Sequence, residues 1–319
     1  MGMNGQQQEV RKTGWRRWGV TLALAGVFGV VYPLVRAIPT PQCGILHTTN
    51  LRESGDGLEF CGPASAVFVD LQTTRFPVRA RWEVEGSAQV GEEFAYALRL
   101  ETSAGRQLGD GDLAVVHTRK VHVLVVDPRL EDYQHLHPEW DGRGAWRGRF
   151  TPRRSGNYRI YVEVVPLATA APVLAAVALR VEGAAGEPVA EGVVSGRAVQ
   201  AVQVGTHKVA LSFLTGTPRA GQEAELRLDV MDPAGTGARV PLEPIMGAWA
   251  HLVAFDAGGR GVAHLHPLDE GSGFEDGAPS FGFGFRTDLP GRYRFWAQII
   301  LAGEERMVPF DVEVAAANE

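Results

Sequence analysis

From residue 76 onward the chain is built of short runs in which apolar and polar residues alternate, or in which β-branched residues follow one another. Such runs fall at 79–84, 94–100, 121–126, 133–137, 158–165 and 174–181, and again at 208–214, 224–230, 250–255, 262–266, 292–300 and 307–314. Turns rich in Gly, Pro and Asp separate them at the spacing of sandwich strands. No long stretch follows the 3.6-residue period of a helix. Gly282 and Gly284 alternate with Phe281, Phe283 and Phe285, which predicts a further strand that allows close backbone approach. The pattern predicts an all-β body.

The N-terminal pattern differs. Trp18 to Val35 is an uncharged run of 18 residues closed by Arg36. At 1.5 Å rise per residue, about 18–20 residues just cross a hydrocarbon core. Trp15, Trp18 and Tyr32 sit near its ends, where such rings favour the membrane interface. Residues 1–17 carry Arg11, Lys12, Arg16 and Arg17 against Glu9, a sum of +3, so the rest of the −6 chain carries −9. A basic tip before the span predicts a cytoplasmic N-terminus and a body on the outer face of a bacterial cytoplasmic membrane. The rival reading is a cleaved signal peptide ending at Val35-Arg36-Ala37. The run is long for such a segment, and the uncleaved anchor is preferred. The acidic balance of the body speaks against nucleic acid as a partner.

The only cysteines, Cys43 and Cys61, lie 18 residues apart beyond the span. In an exported chain they predict one disulfide pinning a neck segment. A Cys43–His47 metal site or a redox pair is the alternative.

The most informative feature is a duplication. His122, His135, His137 and Pro138 correspond to His251, His264, His266 and Pro267 at a constant offset of 129. Leu113 and Val116 match Leu242 and Ile245 at the same offset. Phe150, Gly156, Tyr158, Arg159 and Tyr161 match Phe285, Gly291, Tyr293, Arg294 and Trp296 at an offset of 135, six residues having entered the loop between. The predicted organisation is a tail (1–17), a transmembrane helix (18–36), a neck (37–75), a first sandwich (76–183), a linker (184–200) and a second sandwich (201–316). The fold expected is two tandem immunoglobulin-like β-sandwiches behind one N-terminal transmembrane helix. Glycines and prolines, 58 of 319 residues, belong to its hairpins and linkers.

The histidines gather in corresponding segments. A four-residue hairpin loop at 127–130 pairs Val126 with Glu131 and sets His122 opposite His135, with His137 on the same face. The second copy pairs Phe255 with Arg260 and sets His251 opposite His264, with His266 beside it. Each sandwich thus offers three imidazoles that suit copper or zinc. His117 is a candidate fourth ligand, and its counterpart is Met246. Thioether favours cuprous ion, so that exchange points to copper. The alternative is that these are structural hairpin histidines bonded to loop carbonyls or to one another. A slip of one residue would throw His122 to the other face.

Other features are weaker. Arg159 and Arg294 read as exposed partners of strand carboxylates, and Tyr158, Tyr161, Tyr293 and Trp296 as core. Trp140 and Trp146 read either as a contact for protein or lipid, or as a plug on the first sandwich. No nucleophile elbow, phosphate-binding loop, His-Glu-x-x-His or dinucleotide fingerprint occurs, and the chain does not read as an enzyme.

The run Leu242-x-x-Ile245-Met246-Gly247-Ala248-x-x-His251, then His264-Leu265-His266-Pro267, then Phe285 and Gly291-x-Tyr293-Arg294, resembles a family of bacterial envelope domains related to YtkA-like β-sandwiches. The likeness covers most of the second copy and, more loosely, the first. It implies an immunoglobulin-like sandwich and an association with copper or other heavy metals. The first copy departs in having His117 and Lys120 where the second has Met246 and Trp249.

Two functions are expected from these features. One is a non-catalytic accessory subunit, tethered to the lipid bilayer by its helix and docked on a larger membrane complex such as a respiratory or photosynthetic assembly. The other is a periplasmic copper- or zinc-binding protein with a three-histidine cluster in each sandwich.

Overall fold

The strand Val121–Val126 is buried along its whole length, on both of its faces. Its odd-numbered residues Val121, Val123 and Val125 enter one hydrophobic core, while Leu124 and Val126 enter another. The matching strand His251–Asp256 does the same: Leu252 and Ala254 face one core, Val253 and Phe255 the other. Strands covered on both faces carry near-continuous apolar sequence, and VHVLVV and HLVAF are of that kind.

The structure is a computed structural model describing residues 22, 26–28, 51–54, 57–60, 65–84, 86–184, 199–232, 240–268 and 279–317. Residues His47–Glu319 form one compact unit. In it two β-sandwiches stand side by side. In the first, one sheet runs in the order Tyr133–Leu136, Val121–Val126, Gly156–Val164, Val173–Glu182 and Ala88–Gln89. The facing sheet runs Glu139–Trp140, Trp146–Phe150, Phe94–Thr102 and Val78–Val84. In the second, one sheet contains Val199–Val204, His207–Phe213, Glu223–Met231 and Ser280–Arg286. The other contains Leu242–Glu243, Gly291–Leu301, His251–Asp256 and Gly261–Leu265, with Glu304–Val314 beside Gly291–Leu301. Each sandwich has its own core, centred on residues such as Leu98, Ile160 and Tyr158, or Phe283, Phe295 and Phe310. The all-β expectation and nearly all predicted strands therefore stand.

The described residues of the expected neck pair with the two sandwiches. Ser65–Val67 adds in parallel to Ser280–Arg286, and Val69–Asp70 adds antiparallel to Gly261–Leu265, so both sheets of the second sandwich recruit residues that precede the first. Upstream, the hairpin Leu51–Ser54/Gly57–Phe60 lies against the first sandwich, where Phe60 N donates to Val115 O at 2.7 Å and Val115 N to Leu58 O at 2.7 Å. Phe60 packs there with Ala114 and Val165.

Cys43 and Cys61 lie outside the described residues, as do His47 and most of the expected linker. The expected transmembrane segment is described only at Leu22 and Gly26–Phe28, which are helical. Among the described residues, no helix is long and apolar enough to cross a membrane.

The hairpin register differs from expectation by two residues. Val126 pairs with Tyr133, and Phe255 with Val262. The loops are longer than four residues because an aspartate holds each one open. Asp127 accepts from the backbone of Arg129, Glu131 and Asp132 at 3.0, 2.6 and 2.8 Å. Asp256 accepts from Arg260 and Gly261 at 2.7 and 3.0 Å. His122 thus stands level with His137 rather than His135, and His251 with His266 rather than His264. A shift of two conserves the face, because side chains alternate with period two, so the three histidines of each copy stay together.

Candidate metal centre

The sandwiches meet through the sheets that carry the histidines. Leu124, Val126, Tyr133 and Tyr161 of the first pack against Val253, Phe255, Val262 and Trp296 of the second. These are corresponding residues of the two copies, so the contact has the form of a two-fold, self-complementary interface within one chain. Tyr133 and Phe255 meet ring to ring at 5.4 Å, and Tyr161 and Phe255 at 5.8 Å.

Polar contacts repeat the same reciprocity. His135 Nδ1 of the first sandwich donates to Gln298 Oε1 of the second at 2.9 Å. His264 Nδ1 of the second donates to Glu163 Oε2 of the first at 2.7 Å. His135 and His264 are counterparts, as are Glu163 and Gln298. Arg294 Nη1 donates to Leu130 O of the first sandwich at 3.3 Å, and the Arg159 guanidinium lies against Gly259, the counterpart of Leu130, leaving no room there for a side chain. Arg294 also holds Asp311 through two bonds of 2.7 and 2.6 Å. Arg294 thus forms the expected cross-strand pair with a carboxylate, buried where exposure was expected, and both arginines are interface residues.

All six histidines of the duplicated motif converge on this interface, so that the cluster of each sandwich abuts that of the other. The ring of His264 lies 5.5 Å from that of His122 and 5.0 Å from that of His135, across the two sandwiches. His122, His135 and His264 offer ligand atoms within 4.8 Å of one another, and so do His251, His264 and His266. His137 joins them, with Nε2 3.2 Å from His122 Nδ1. His117 reaches over from the first sandwich, its ring 3.8 Å from that of His266 and 5.6 Å from that of His251. Its counterpart Met246 takes the same turn position, with a left-handed φ of 51° against 46° for His117. Trp146 is buried in the first core and Trp140 packs against it, so this pair plugs the sandwich.

Proton placement decides the chemistry. His122 Nε2 donates to Val116 O at 2.9 Å, and His251 Nε2 donates to the corresponding Ile245 O at 3.1 Å. Gln298 Nε2 donates to Glu305 Oε1 at 2.5 Å, which fixes the amide so that its oxygen receives the His135 Nδ1 proton. A neutral imidazole has one proton. With it committed outward, His122 Nδ1 and His135 Nε2 are both bare lone pairs, and they face each other at 3.1 Å. By the same logic His251 Nδ1 is bare. That atom, His264 Nε2 and His266 Nε2 are buried with no hydrogen-bond partner among the described residues. Outward protons held by carbonyls, an amide and a carboxylate are the usual support behind metal-ligating imidazoles.

The electrostatics keep His122, His135, His137, His251 and His266 neutral. Burial, then the neighbouring His264, pushes His122 down to about 4. Burial, then His122 and Arg119, pushes His137 down to about 2. His135, His251 and His266 are driven well below the usual range by burial, and next by His264. Burial alone would raise Glu163, but its bond to His264 and the surrounding imidazoles outweigh this and hold it ionised.

Sequence reading had singled out the six histidines but missed Glu163 and Gln298. A signal was present: each breaks an apolar strand at the corresponding position, in YVEVV and WAQII. Glu163→Gln keeps an acceptor behind His264 but removes its charge. We expect metal affinity to fall by about 10–100-fold with little change in fold. Competition against a chelator of known affinity measures it.

Residues 202–316, the second sandwich, match a domain of unknown function, DUF8832. No curated protein matches the chain. Among solved structures, the chain is similar to the fibronectin(III)-like modules of Clostridium thermocellum CbhA at 7% identity and a TM-score of 0.19, covering 74% of this chain and 95% of that one.

Proposed function

We propose that this protein binds copper or zinc in a histidine centre at the junction of its two sandwiches. One observation carries the reading: bare imidazole nitrogens turned toward one another in a buried site, including His122 Nδ1 and His135 Nε2 at 3.1 Å. Two lone pairs at that distance repel unless a proton or a cation lies between them, and burial disfavours the proton. The all-imidazole donor set suits copper and zinc and not magnesium or calcium. The immunoglobulin-like sandwiches act as rigid holders for the rings. The segment 18–36 serves as membrane anchor and the body faces the periplasm, as the charge distribution of the sequence suggests.

Full-length protein, extracted in mild detergent and equilibrated with micromolar copper or zinc, is expected to retain metal through gel filtration. His135→Ala and His264→Ala are expected to lose most of it. Retention of no metal by the parent protein, or full retention by both variants, would overturn the proposal. The accessory-subunit expectation rests on chain architecture, and co-purification of integral membrane proteins in the same extract tests it separately.

A further inference from the structure

We infer that the centre takes two cuprous ions, one on His122, His135 and His137 and the other on His251, His264 and His266. This inference rests on the metal-binding reading above and deepens it.

The first argument is donor number. Copper and zinc sites are commonly filled by four ligands. A single ion seated on His122, His135 and His264 leaves His251 Nδ1 and His266 Nε2 buried with no hydrogen-bond partner among the described residues. A buried nitrogen left without a partner is costly. Two ions use all six rings, three apiece. The second argument is symmetry. The contacts behind the rings recur in the two halves: the carbonyls of Val116 and Ile245 behind His122 and His251, and the side chains of Gln298 and Glu163 behind His135 and His264. A device built twice across a two-fold interface makes two corresponding seats beside the axis. His264, close enough to serve either triad, marks how near those seats are to each other.

The third argument is charge. An imidazole that ligates a metal does so as the neutral ring, and Glu163 is the carboxylate bonded within the cluster. Two monovalent ions against it leave one net positive charge in a buried site, whereas two divalent ions leave three. Burying uncompensated charge is costly, so the arrangement selects the lower oxidation state. Three-coordinate imidazole ligation suits cuprous ion.

The test loads full-length protein anaerobically with copper(I) supplied as its acetonitrile complex, then removes loose metal with a micromolar chelator. Two copper per chain is the expected result, with no paramagnetic copper signal and an X-ray absorption edge of three-coordinate copper(I). One copper per chain overturns this inference and leaves the metal-binding reading standing. No copper and no zinc overturns both. Zinc retained in preference to copper(I) overturns the choice of ion. His137→Ala and His266→Ala are each expected to hold one copper in place of two. Retention of two by either variant, with its Tm within a few degrees of the parent, overturns the assignment of ligands.

Discussion

Metal-free protein brought from pH 7 to pH 5 is expected to lose the docking of its two sandwiches. His122, His135 and His251 are buried and their folded-state affinities for protons are depressed, chiefly by burial. The unfolded or undocked chain takes up protons from about pH 6.5 downward, while the docked state refuses them. Stability is therefore intact above about pH 6.5 and falls as pH drops toward the folded-state values, which for His122 is about 4. Each ring sets a limiting slope of about 1.4 kcal/mol per pH unit, so the three together approach about 4 kcal/mol per unit. Glu163 works in the opposite sense on His122, and His264 and His117 in the same sense, as Arg119 does on His137. Denaturant titrations across that range, with small-angle scattering to detect separation of the sandwiches, measure the effect. Metal-loaded protein is expected to resist to lower pH, because bound ions occupy the lone pairs that protons would take. A metal-free protein of constant stability from pH 7 to pH 5 would show that the rings are not held neutral.

Phe255→Ala is expected to cost about 3–5 kcal/mol, the range for removing a large ring from a well-packed core. Phe255 is fully buried between Tyr133 and Tyr161 and belongs to the contact between sandwiches, not to the core of either. At about 2–4 °C per kcal/mol, Tm falls by about 10 °C. The matched control is Phe310→Ala, equally buried but inside the second sandwich. Both variants lose stability, and Phe255→Ala is expected to lose far more metal affinity, because it loosens the surface that brings the two sets of rings together. Equal loss of affinity in the two variants would mean that docking does not govern the centre.

The duplication and the strand pattern made the two sandwiches readable from sequence, since alternation and turn residues act locally. The histidines were readable as a set for the same reason: pleating conserved their common face even though the aspartate-capped loops moved the register by two residues. What sequence did not reveal was the partner surface. The apolar run Val121–Val126 has the character of a strand covered on both faces, but nothing in it says by what. The contribution of Ser65–Val67 and Val69–Asp70 was also hidden, because strands of three and two residues carry too little pattern to stand out. The centre depends on a contact between positions some 130 residues apart, so it became visible only with the docked pair.

The covalent joining of the two copies has a consequence that a dimer of identical chains would not share. In a symmetric dimer, whatever stands behind one imidazole must stand behind its mate. Here the positions have diverged: an ionised carboxylate backs His264 where a neutral amide backs His135, and a histidine occupies the turn on one side where a methionine occupies it on the other. If ions bind as proposed, the more basic ring holds its ion more tightly, which gives the two halves different affinities and one chain a direction, from the weaker seat to the tighter.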